Sequence, residues 1–185
     1  MKKLFLFVMV SLDGYFEGED HDLSWHNVDA EFNKYAIKHT SEAGILLFGR
    51  KTYELMANYW PSAHAATDDP VVANLMNNTP KIVFSTTLKK AEWNNTRLVR
   101  EINPDEIIRL KKESSKDLAM YGSNTLAVNM MKFKLIDEFR IMVNPVAIGK
   151  GTSLFKGLEE KVPMELIGTK KFKSGNVLLS YRPKL

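Results

Sequence analysis

The sequence predicts an α/β fold: a mostly parallel central sheet flanked by helices, with an antiparallel hairpin added at the C-terminus. Three observations carry this prediction. Short apolar runs alternate with stretches of helical spacing through the first three quarters of the chain, the pattern of βαβ units. Several of those runs are continuously apolar, as strands buried on both faces are. The last quarter instead holds two strand-like runs joined by Lys173-Ser174-Gly175-Asn176, a hairpin with a Ser-Gly turn.

Taken in order, Lys3 to Val10 is a central strand, ended by Ser11-Leu12-Asp13-Gly14. A loop rich in Gly, Asp and Glu then runs to about Ser24. Phe32, Tyr35, Ala36 and His39 recur at helical spacing between Asp29 and Thr40. Gly44 to Phe48 is the second strand, and Lys51 to Asn58 a helix closed by Trp60-Pro61. Ser62 to Asp69 reads as a loop. Asp69 as N-cap and Pro70 in the first turn open a short helix to Asn77. Strands follow at Lys81 to Phe84 and Thr96 to Val99. Asn103-Pro104 opens a helix from Asp105 to Glu113. Asp117 to Tyr121 is a strand, Asn124 to Phe133 a helix, and Asp137 to Val143 a strand. Pro145 to Phe155 is a glycine-containing connection. The hairpin spans Met164 to Phe172 and Val177 to Arg182. No repeat, low-complexity tract or linker divides the 185 residues, so residues 1–185 are expected to form a single domain.

Composition removes several function classes. The chain has no cysteine, which excludes disulfides, thiolate metal sites and a cysteine nucleophile. His21, His26, His39 and His64 lack metal-ligand spacing, and no H-E-x-x-H occurs, so no metal site is expected. Walker A, G-x-G-x-x-G and G-x-S-x-G patterns are absent. The net charge of +4 is uneven: residues 1–48 hold eight acids against four lysines, and residues 161–185 hold six cations against Glu165. No basic run is interleaved with aromatics, so this tail reads as a solvated surface and not as a nucleic-acid site. Met1-Lys2-Lys3 and the following apolar run imitate a signal peptide, but no small-residue cleavage site follows. No apolar stretch reaches the length of a membrane span. The expectation is a soluble cytoplasmic protein with no membrane partner.

Four strand ends carry Gly or hydroxyl residues: 11–14, 49–52, 85–87 and 122–125. Ligands of parallel sheets collect at these carboxyl ends. Three suit phosphate. Gly49-Arg50-Lys51-Thr52 joins a strand end to a helix start, with a guanidinium, an ammonium and a hydroxyl beside free N–H groups. Ser85-Thr86-Thr87 offers hydroxyls, and Gly122-Ser123-Asn124-Thr125 is a second strand-to-helix turn. Each alone also suits plain turn or cap geometry. Trp25 could stack on a flat heterocycle; Tyr53 and Trp60 suit the core better.

SLDG (11–14), Trp25, FGRKTYE (48–54), KIVFSTTL (81–88), YGSNTLA (121–127) and LIDEFRIMVNPVAIGKGTSLF (135–155) stand in one order over about nine tenths of the chain. In this the chain resembles the dihydrofolate-reductase-like superfamily. The branch it is most similar to is typified by the reductase domain of the bifunctional riboflavin-biosynthesis deaminase-reductase. The resemblance implies NADPH as hydride donor, a small planar nitrogen heterocycle or related imine or carbonyl as substrate, and often a homodimer. Carried over, Gly49, Arg50, Lys51 and Thr52 match the element at the cofactor phosphates, and Ser85 and Thr86 the strand end near the adenosine 2′-phosphate. Gly122, Ser123, Asn124 and Thr125 match the turn under pyrophosphate and nicotinamide. Val10, Ser11 and Asp13 match the first-strand loop that closes over nicotinamide. Apart from the resemblance, His26 beside Trp25 suits either the substrate mouth or a loop surface. Two departures stand out. Tyr121 replaces the first of the family's usual paired glycines, where its ring either narrows the cofactor's approach or enters the core. No carboxylate follows Trp25 at the folate enzymes' spacing. Reducing a C=N bond leaves a nitrogen that needs a proton, so Asp13, Asp29 and Glu31 are the candidate acids. Asp13 equally suits a turn before Gly14, and Asp29 and Glu31 a helix start. A nucleotide-binding protein that keeps the fold without turnover is the alternative.

Overall fold

The structure, a computed structural model, describes residues 1–184. Its centre is β1 (Leu4–Val10), seven residues that are all buried. Their alternation feeds two cores. Leu4, Leu6, Val8 and Val10 pack on one face with Leu47, Met120 and Met130, while Phe5, Phe7 and Met9 pack on the other with Phe48, Tyr53 and Trp93. A strand apolar on both faces can lie only in the middle of a covered sheet.

The chain passes from β1 through β2 (Tyr15–Glu17), α1 (Ala30–Ser41) and β3 (Ala43–Gly49) to α2 (Arg50–Tyr59), α3 (Ala63–Asp68) and α4 (Pro70–Asn78). It continues through β4 (Lys81–Phe84), β5 (Thr96–Val99), α5 (Pro104–Glu113), β6 (Asp117–Tyr121) and α6 (Asn124–Lys132). It ends with β7 (Glu138–Val143), β8 (Thr152–Ser153), β9 (Met164–Lys171) and β10 (Val177–Pro183). The eight-stranded sheet runs β5-β4-β3-β6-β1-β7-β10-β9. The chain lays β3, β4 and β5 outward, returns to fill the slot beside β1 with β6, then crosses to β7 on the other side. All pairings among these strands are parallel, and β10 is antiparallel to both β7 and β9. The predicted architecture is therefore the observed one.

Three local expectations are corrected. Residues 62–69 are not a loop: Ser62 caps α3 by accepting from the Ala65 N–H, and Ala-rich residues continue the turn. The loop after β1 contains β2 and a short 3-10 turn at Glu19–His21, and the 145–155 connection contains β8. β2 and β8 pair with each other in a separate two-stranded sheet.

Candidate active site

The carboxyl ends of β3 and β6 are neighbours, and the glycines there let their turns touch. A Cβ on Gly49 would lie 2.1 Å from Ser123 Oγ, and one on Gly122, at φ +55°, would lie 3.1 Å from Thr52 Oγ1. The 49–52 and 122–125 turns thus form one trough. The N-caps of α2 and α6, Gly49 and left-handed Ser123, make no side-chain cap bond. Their first-turn N–H groups therefore remain available to an anion. Arg50 and Lys51 flank this trough. Arg50 Nη1 donates to Glu54 at 3.2 Å, and Lys51 Nζ lies 3.1 Å from His21 Nε2, whose Nδ1 meets Glu17 at 2.8 Å. Lys51 thereby ties α2 to the loop that follows β1. Thr125 is exposed at the trough, and Thr52 half-buried.

Asn124 is used differently from expectation. Its Nδ2 donates to the carbonyls of Leu154 and Lys156, both at 2.8 Å, so it fastens the segment after β8. At β4, Thr86 is exposed but the Ser85 hydroxyl turns inward, accepting from Leu88 N–H at 2.9 Å and Thr87 N–H at 3.2 Å. Arg100, unnoticed in the sequence, donates to the carbonyls of Ser85 and Leu88 and fixes this turn. Tyr121 enters the core: its ring stacks on Phe48 with centroids 6.0 Å apart, and its hydroxyl reaches Thr40.

The three candidate acids are all engaged. The Asp13 carboxylate accepts from the N–H groups of Gly149 (2.7 Å) and Ile148 (3.2 Å). The Ser11 hydroxyl, then these two amides, hold its carboxyl below the usual carboxylate range. Asp29 caps α1 by accepting from Phe32 N–H at 2.7 Å. Glu31 accepts from Lys173 N–H at 2.9 Å, tying α1 to the hairpin turn. Ser11 is buried and accepts from Tyr15 N–H. Val10 ends β1 with its carbonyl bonded to the Asn144 amide. Trp25 is half-buried, its indole donating to Asp22 O and its ring edge-on to His26 at 4.6 Å.

Asparagines organise the loop that holds Trp25: the sequence shows Asn144 only within a motif and Asn176 within a turn, and gives Asn27 no signal. Asn144 is fully buried; its Nδ2 donates to the carbonyls of Val10 and Met142, and its Oδ1 accepts from Asn27 N–H at 2.9 Å. Asn27 in turn donates to Ser174 O and accepts from Asn176 Nδ2. The loop holding Trp25 is so bound to β7 and to the hairpin. Asn144→Ala should cost about 1–3 kcal/mol, because Asn27 N–H and Met142 O lose their side-chain partner while Val10 O keeps only the residue 144 backbone N–H. Urea denaturation reads this directly, and a midpoint equal to that of the unaltered protein would contradict it.

The resemblance implies a nicotinamide dinucleotide, and the residues present fit one. Two helix starts without side-chain caps meet in the trough, where Gly49 and Gly122 let the two turns pack side by side, with cations at its rim.

Comparisons with known proteins place the family and the fold. The RibD C-terminal domain family matches residues 2–178. An uncharacterized protein of Bacillus subtilis (strain 168), YyaP, is 27% identical over 180 residues, covering 97% of this chain and 94% of that protein. Among solved structures, a Shewanella sp. PV-4 protein named for riboflavin biosynthesis superposes with a TM-score of 0.73 at 22% identity, covering 99% of each chain. Dihydrofolate reductase from Enterococcus faecalis, complexed with NADP(H) and RAB-propyl, superposes with a TM-score of 0.65 at 15% identity, over 99% of this chain and 97% of that one. At these identities the structural likeness speaks for the fold, which is that of dihydrofolate reductase. Among the described residues, no helix is long and apolar enough to cross a membrane. By the match along nearly its whole length, the chain belongs to the RibD C-terminal domain family, a family of reductase fold.

Proposed function

We propose that residues 1–185 act as one NADPH-dependent reductase domain. It transfers hydride to a small planar nitrogen heterocycle, of pterin, folate or riboflavin-precursor type, or to a related imine or carbonyl. The observation that carries this reading is the trough where Gly49 faces Ser123 and Gly122 faces Thr52. NADPH, when bound, supplies the hydride. The chain's own residues bind and orient it: first-turn amides of α2 and α6 meet phosphates, and the Val10–Asp13 segment covers the ring. Arg50 spends only Nη1 on Glu54, so the rest of its guanidinium is free for the extra phosphate. That charge-assisted contact is worth about 1.5–3 kcal/mol. Arg50→Ala should weaken NADPH binding roughly 10- to 100-fold while leaving NADH little changed. Glu54→Gln, which releases Arg50, should do the opposite. Fluorescence titration with both coenzymes checks this, and equal losses for the two would remove Arg50 from the role. The proposal extends to a cytoplasmic homodimer; a monomer in sedimentation would count against the dimer.

The committed carboxylates favour a second reading, nucleotide binding without turnover. Asp13, Asp29 and Glu31 already accept from backbone N–H groups, so under the first reading the proton must come from water. Saturable NADPH binding with no oxidation by pterins, flavin precursors or quinones would select the second.

A further inference from the structure

A concavity of about 380 Å³ lies between α1 and the β7-β10-β9 side of the sheet. It is not the trough described above. Its wall on α1 runs from Lys34 to His39, and Glu138 in its floor pairs with Phe5 near the start of β1. Phe5 and Val10 are five residues apart, so the two places are separated by roughly 17 Å along the strand.

The hydrogen-bonding inventory of this concavity is one-sided. Both carboxylates pair with Arg140: Glu42 Oε2 accepts from Arg140 Nη1 at 2.8 Å, and Glu138 accepts from Arg140 Nε at 2.7 Å and Lys3 Nζ at 3.2 Å. Arg140 lies over Phe5, its Cζ 3.9 Å from the ring centre. It also meets His39 Nδ1 at 3.3 Å. A guanidinium can only donate, so His39 Nδ1 is an acceptor and its proton sits on Nε2. That Nε2 is buried without a partner, on a residue only 2% exposed, and so is the Tyr35 hydroxyl. Lys34, Lys38 and the Ser180 hydroxyl also line the space, and among the described residues their side chains have no hydrogen-bond partner. Lys170 makes one long contact with Glu31, at 3.5 Å. What remains unpaired is mostly a set of donors, several cationic, against the single oxygen Oε1 of Glu42.

We propose that this concavity is a second anion site, shaped for a small phosphorylated molecule. The lining ammoniums of Lys34, Lys38 and Lys170 and the Ser180 hydroxyl can converge on an anion there with charge-assisted hydrogen bonds. The volume exceeds that of one phosphate group, leaving room for a diphosphate or a phosphate ester. The site does not depend on the reading of the trough, because no residue is shared.

Calorimetric titration with inorganic pyrophosphate tests it. The trough also offers phosphate donors, so the titration is run on four variants. Lys34→Gln/Lys38→Gln, both exposed and so neutral to folding, should weaken one binding event tenfold or more. Ser180→Ala, which removes the lining hydroxyl, should weaken the same event about three- to tenfold. Arg50→Gln should leave that event untouched. Lys112→Gln/Lys161→Gln removes equal charge elsewhere and should also leave it untouched. Unchanged heats in Lys34→Gln/Lys38→Gln would overturn the proposal. So would an equal weakening by the distant pair, which would mark the attraction as that of net charge.

Discussion

Gly151→Ala is expected to destabilise the protein by roughly 3 kcal/mol, combining backbone strain with overpacking. Gly151 sits at φ +152°, and a Cβ there would fall 2.1 Å from Glu17 O and 3.1 Å from Gly18 Cα. Both obstacles are backbone, so no side chain can swing aside. Glu17 pairs with Thr152, which places the collision in the β2–β8 ribbon. Relief requires the ribbon to part, and the ribbon carries the loop that Asp13 fastens to Ile148 and Gly149. Under the proposed function, coenzyme affinity should therefore fall along with stability. Gly149→Ala is the internal comparison: its φ is +74°, yet nothing lies within 4 Å of the added atom. It should cost only about 1–2 kcal/mol for the left-handed backbone. For a chain of this size the two variants should differ by several degrees in Tm, at about 2–4 °C per kcal/mol. Equal melting points would show that the approach to Glu17 has no consequence.

The sheet was legible because its strands are written in runs of apolar residues, and two of its helix starts in the pairs Asp69-Pro70 and Asn103-Pro104. The structure places both Asp69 and Asn103 as N-caps, accepting from Val72 N–H and from Asp105 N–H. α3 escaped because Ala63-His64-Ala65-Ala66-Thr67 has no apolar stripe; its helicity rests on propensity and the Ser62 cap. β2 and β8 escaped because strands of three and two residues are too short to show a period. The candidate site was legible as four strand ends but not as a set of bonds. Whether a carboxylate is free depends on partners remote in sequence, such as Lys173 for Glu31 or Gly149 for Asp13. Asn27, Asn144 and Asn176 carry no periodic signal, and only their convergence in space reveals them as the frame of the loop that holds Trp25.

Acidification from pH 7 to pH 5 should remove roughly 4 kcal/mol of stability, about 2 from each of two buried histidines. Burial pushes His39 down to about 3, with Arg140 adding to the shift, and burial pushes His26 down to about 4 against the pull of Asp22. In the unfolded chain both titrate near 6.5. Between 6.5 and the native values, the unfolded state binds protons that the folded state refuses. Stability is thus fully present above about pH 6.5 and is lost progressively as the pH falls below it. Carboxylates held low, such as Glu138 beside Arg140, contribute only at lower pH, where unfolded carboxylates begin to protonate. The window from pH 6.5 to 5 therefore isolates the histidines. A loss of this size is a large share of an ordinary domain's 5–15 kcal/mol. His39 lies among Phe5, Phe7, Tyr35 and Tyr121, with ring centroids 4.5 to 5.4 Å away, so His39→Phe replaces it with a ring that the site can hold. Arg140 keeps both carboxylates in that variant. Its stability at pH 7 will shift by its own amount, but the slope between pH 6.5 and 5 should fall by about half. Denaturant midpoints measured at intervals across that window give the slope. An unchanged slope in His39→Phe would mean that the imidazole is protonated in the folded protein and that its contact with Arg140 does not exist as described.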